Sequence, residues 1–68
     1  MRFHIEYERE VDGRWIAEVP EIPGALAYGA TADEAMGKAE VLALRALAER
    51  IEQGESRAMP IHIELAAA

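Results

Sequence analysis

The sequence predicts an α+β domain of four strands and one helix in the order β-β-β-α-β. Three observations carry that reading: apolar and polar residues alternate over Arg2 to Val19 and again near the C-terminus, turn residues separate the early runs, and a capped stretch of helix formers fills residues 31–53. Arg2 to Glu10 alternates strictly. Phe3, Ile5 and Tyr7 fall on one side and Arg2, His4, Glu6, Glu8 and Glu10 on the other, as in a half-buried strand. Asp12-Gly13 is the pair most able to take the positive φ values of a tight hairpin turn, after which Arg14 to Val19 resumes the alternation with Trp15, Ala17 and Val19. Pro20-Glu21-Ile22-Pro23-Gly24 reads as a rigid loop, because neither proline can donate a ladder hydrogen bond and Gly24 permits an unusual φ. Ala25 to Tyr28 then makes a short third strand.

Thr31-Ala32-Asp33-Glu34 sets a hydroxyl at a helix N-cap and a carboxylate three residues on, a capping box that satisfies two orphan amide donors reciprocally. Good helix formers dominate from Ala32 to Gln53, with Gly37 the weak point, and Gly54 is placed to end the helix in a left-handed conformation. Met59 to Leu65 alternates again, with Pro60 at its start and Ile61, Ile63 and Leu65 opposite His62 and Glu64. A meander of three strands, a helix returning across one face and a last strand beside the first give the spatial order 3-2-1-4 with a right-handed crossover. The helix then covers Phe3, Ile5, Tyr7, Trp15, Ala17 and Val19. At about 100° per residue, its core side gathers Ala35, Ala39, Leu42, Ala43 and Ala46, with Met36 and Leu47 at the margin. Val41, Leu44, Ala48 and Ile51 form a second apolar stripe, which either wraps round the core edge or makes a subunit contact.

Size and charge bound the function. A single domain of 68 residues holds a core of a size that rarely supplies more than roughly 3–5 kcal/mol, and with no cysteine to form a disulfide or thiolate metal site, oligomerisation is the remaining staple. The net charge of −6 opposes binding a polyanion across a broad face. No apolar run approaches the ~20 residues needed to span a bilayer, and no secretory signal opens the chain, so a cytoplasmic protein is expected.

Catalytic chemistry finds little support. The lone serine, Ser56, sits in an expected loop with no triad, and the glycines form no phosphate cradle. His4 and His62, with Glu6 and Glu64, share the helix-free face and could in principle hold a metal, while Glu6, Glu18 and Glu64 could hold Mg²⁺ in a nuclease. A solvated polar row explains both sets better, so no metal, cofactor or catalytic residue is expected. Trp15 and Tyr28 suggest a stacking platform for single-stranded nucleic acid. Trp15 falls on the core side, however, and the acidic balance opposes such a ligand. Tyr28 is expected in core or rim packing, with a partner anchor as the alternative.

From Tyr7 to Glu55, about three quarters of the chain, the sequence resembles the small domain of HicB-family antitoxins. The likeness lies in Glu10-Val11-Asp12-Gly13-Arg14-Trp15-Ile16-Ala17-Glu18-Val19-Pro20-Glu21-Ile22-Pro23-Gly24, followed by Tyr28-Gly29-Ala30-Thr31-Ala32-Asp33-Glu34-Ala35 and Ala39. It implies a partial RNase H-like sheet with one helix, and binding to a small basic toxin, HicA, an mRNA interferase. Many HicB proteins add a C-terminal DNA-binding segment, whereas this chain ends at Ala68, so it is expected as one domain over 1–68 that neutralises by contact, without turnover and without operator DNA. An orphan interaction module is the alternative. The contact surface expected for the toxin is the side bearing Glu18, Glu21 and Tyr28, and for self-assembly the Val41, Leu44, Ala48 and Ile51 stripe.

Overall fold

The computed structural model describes residues 2–54 and the backbone of 62–65. Three antiparallel strands, β1 (Arg2–Arg9), β2 (Trp15–Glu18) and β3 (Leu26–Gly29), are followed by one helix, α1 (Ala32–Glu52), packed across one face of the sheet. In the β1/β2 pairing Tyr7 faces Ala17 and Glu8 faces Ile16; in the β2/β3 pairing Ala17 faces Ala27 and Ile16 faces Tyr28. The alternation therefore sorts side chains as the sequence predicts. Phe3, Ile5, Ala17 and Val19 are buried under Ala35, Met36, Ala39, Ala43 and Leu47, with Tyr7 and Trp15 packed at the margin, their ring centroids 6.0 Å apart. The backbone of β4 (His62–Leu65) runs parallel to β1, with His62 beside Arg2 and Glu64 beside His4. The rest of the expected fourth strand, Met59 to Ile61, the loop bearing Ser56 and the tail Ala66 to Ala68 lie outside the described residues.

Local chemistry differs from the sequence reading at four places. At the first hairpin only Gly13 takes a positive φ, +91°, while Asp12 does not. The amide of Gly13 donates to the carbonyl of Glu10 and that of Glu10 to Arg14, so the connection is a three-residue loop closed by a left-handed glycine. Asp12 acts instead through its side chain, accepting from the Arg14 amide at 3.0 Å and from its Nε at 2.8 Å. Second, the capping box is displaced by one residue. Thr31 accepts from the Glu34 amide at 3.1 Å, but the Glu34 carboxylate reaches the amide of Ala30, at 3.4 Å, and also binds Lys38.

Third, the Pro20 to Gly24 loop is part of the core. Ile22 is 1% exposed, held by two successive turns in which its amide donates to Val19 and its carbonyl accepts from Ala25. Pro23 and Gly24, with φ +89°, occupy the two central positions of the second turn, which is where a type II turn wants them. Ile22 and Ala25 join the core, whereas Leu42, expected on the core side of the helix, stands 38% exposed. Fourth, Tyr28 is not core packing: its side chain points to the helix-free face and is 40% exposed.

Candidate functional site

The helix-free face of the sheet is the strongest candidate for an interaction site. Strand parity and register put Glu6 and Glu8 of β1, Ile16 and Glu18 of β2, and Leu26 and Tyr28 of β3 on this one face. Glu6 stands directly opposite Glu18, and Glu8 opposite Ile16. Like charges directly opposed across strands destabilise a sheet. Among the described residues none of these three glutamates has an ion-pair partner. They surround a shallow depression of about 160 Å³ between β1 and β2, with Ile16 among its lining residues. A lysine or arginine side chain fits this arrangement chemically, its stem over Ile16 and its charge among the carboxylates.

Two neighbouring contacts fix the borders. Arg14 lies with its guanidinium carbon 4.6 Å from the Tyr28 ring centroid while its Nε holds Asp12, so hairpin and third strand are tied by one side chain. The Arg14 amide, followed by its side chain, holds the Asp12 carboxyl below its ordinary value. At the other end Glu21 binds His4, whose amide lies 3.4 Å from Oε1 and whose Nδ1 lies 3.2 Å from Oε2. Its own backbone amide, then the His4 ring, lowers the Glu21 pKa.

Of the expected toxin-contact residues, Glu18 and Tyr28 thus share the acidic face. Glu21 is bound to His4 at the border of that face, a clamp between the loop and β1. Sequence reasoning set Glu6 aside as solvated charge and gave no role to Glu8 or Ile16; the missing signal was register, which decides that Glu6 meets Glu18. The expected assembly residues Val41, Leu44, Ala48 and Ile51 are all exposed on α1. His4 is joined to Glu21, and the backbone register sets Glu64 beside it. Among the described residues no group of three or more histidine, aspartate or glutamate side chains is gathered as a metal ion would need. No described helix is long and apolar enough to cross a membrane. No family model, curated protein or solved structure matches the chain.

Proposed function

We propose that this protein is a HicB-like antitoxin domain, cytoplasmic, which neutralises a basic HicA-type mRNA interferase by direct contact and turns over no substrate. The platform is the β-β-β-α-β domain with strand order 3-2-1-4 and partial RNase H-like shape. The observation that carries the reading is the self-repelling row of Glu6, Glu8 and Glu18. A row that costs the isolated sheet stability is relieved when a cationic surface docks on it, and Tyr28 and Leu26 supply apolar contact beside it. The net charge of −6 adds long-range steering of a cationic partner, which raises the association rate and makes it fall with salt. The HicB-like string supports the same reading, since its hairpin and Pro-Gly loop hold the ends of β2 and β3.

The test titrates the protein against the basic product of the gene adjacent to its own and measures RNA cleavage. Stoichiometric inhibition, weakened by Glu18→Lys or Tyr28→Ala, is expected. Unchanged cleavage at saturating protein would favour an orphan interaction module, a reading to which the uncharged outer strand β3 also lends itself. Mg²⁺-dependent RNA cleavage by this chain alone, lost on changing Glu6 or Glu64, would instead establish a nuclease and refute the proposal.

A further inference from the structure

We propose that the free edge of β3 pairs with the same edge of a second copy of this chain, antiparallel and about a two-fold axis passing through Ala27. This goes beyond the antitoxin reading and stands or falls independently of it.

Hydrogen-bond parity exposes the edge. The Val19 amide donates to the Ala25 carbonyl, which makes Val19 and Ala25 a hydrogen-bonded pair; alternation then turns the backbone groups of Ala27 and Gly29 inward to β2 and those of Leu26 and Tyr28 outward, where the Leu26 amide is already bound to the Gly24 carbonyl at 2.9 Å and the Tyr28 amide and Leu26 carbonyl are left to pair across the edge. The outward strand is Leu-Ala-Tyr-Gly, with no charge, proline or bulge of the kind that monomers use to blunt an edge. Centring the pairing on Ala27 sets Leu26 against Tyr28 of the partner subunit and Tyr28 against Leu26 of the partner subunit.

Both faces beside this edge are apolar. Leu26 and Tyr28, 41% and 40% exposed, flank it on one side, and on the other an open groove of about 530 Å³ is lined by Ala27, Gly37, Val41 and Leu42. Gly37 has no packing reason within the protomer: a Cβ there would meet nothing within 4 Å. A glycine in a helix interior costs about 1 kcal/mol against alanine, and here it widens the groove for a neighbouring helix.

A second copy is the occupant favoured by charge. The groove rim is nearly balanced, with Lys38 bound to Glu34 at 3.2 Å within the protomer and Asp33 beside them, so it does not repel a second copy. The open sheet face, with Glu6, Glu8 and Glu18, would repel its own copy. Edge pairing extends one sheet through both subunits and leaves both acidic faces free on the same side.

The chain lacks cysteine, so one introduced thiol reports the register. In a non-hydrogen-bonded antiparallel pair the Cα atoms lie about 4.5 Å apart, within the range of about 4.4–6.8 Å that a disulfide accepts. Ala27→Cys, mildly oxidised at low micromolar concentration, is expected to give a cross-linked dimer in buffer and monomer in urea. Tyr28→Pro removes the outward amide together with the ring that Arg14 stacks on, and should shift the unlinked protein from dimer to monomer by light scattering with an unchanged circular dichroism spectrum, whereas Tyr28→Ala, which loses the ring and keeps the amide, should remain dimeric. A monomer at about 50 µM, a concentration at which micromolar association would be evident, would overturn the proposal. So would a dimer cross-linked by Leu44→Cys but not by Ala27→Cys, or an edge that pairs only with a peptide from another protein.

Discussion

Replacing Gly29 with alanine tests the packing of sheet against helix with one methyl group. Gly29 does not need glycine for its backbone, because its φ is not positive. It needs the space. A Cβ there would lie 2.6 Å from the backbone nitrogen of Ala35 and 3.0 Å from Cβ and Cγ of Glu34, so the first turn of α1 must retreat by about 0.8 Å to reach an ordinary 3.4 Å contact. Glu34 can swing, but the Ala35 nitrogen donates to the Thr31 carbonyl at 3.1 Å and cannot move alone. Overpacking of this kind costs about 1–3 kcal/mol, and the gain in chain stiffness from glycine to alanine in a strand returns about 0.5–1 kcal/mol. The net loss is therefore about 0–2.5 kcal/mol and centred above about 1 kcal/mol, since the contact is with backbone that cannot move alone, a large share of the roughly 3–5 kcal/mol that so small a core rarely exceeds. Urea and thermal unfolding followed by circular dichroism should show Tm lower by roughly 5–15 °C. A variant as stable as the parent would refute the close approach of β3 to the helix start.

Gly37→Ala should act in the opposite direction, raising stability by about 1 kcal/mol at protein concentrations low enough to exclude association, since its Cβ meets open space. Ile22→Ala empties a fully buried position and should cost about 2–4 kcal/mol in urea unfolding, most of the chain's stability, whereas a surface-loop isoleucine would cost almost nothing. Thr31→Ala should cost about 1 kcal/mol by losing the acceptor for the Glu34 amide. The Glu34 carboxyl is held below its ordinary 4.5, first by Lys38 and then by the Ala30 amide. Its contribution is therefore complete above that value and lost as pH falls through the lowered one; Glu34→Gln should flatten this part of the acid limb of a stability-versus-pH curve, and an unchanged limb would count against the contact.

The strand faces and the helix were legible because burial period is written directly into the chain: Phe3, Ile5, Ala17 and Val19 are buried, and Thr31 caps the helix. What the sequence concealed depends on position in space. Ile22 between two prolines reads as loop decoration until the two turns fold it inward. Asp12-Gly13 signals a hairpin without saying whether one or both residues turn left-handed, because that depends on loop length and not on composition. The acidic row was visible only as scattered glutamates. Pairing register, a nonlocal quantity, sets Glu6 against Glu18 and turns Tyr28 to the same side.

The central claim is that a cation-bearing protein surface docks on this acidic sheet face. Amide chemical-shift mapping of the 7.5 kDa chain, titrated with the basic product of the adjacent gene, tests it most directly. The account expects perturbations centred on Glu6, Glu8, Ile16, Glu18, Leu26 and Tyr28, weakening as salt is raised, with Leu44 and Ile51 of the helix unmoved. Perturbations confined to the helix, or none at saturating partner, would contradict it.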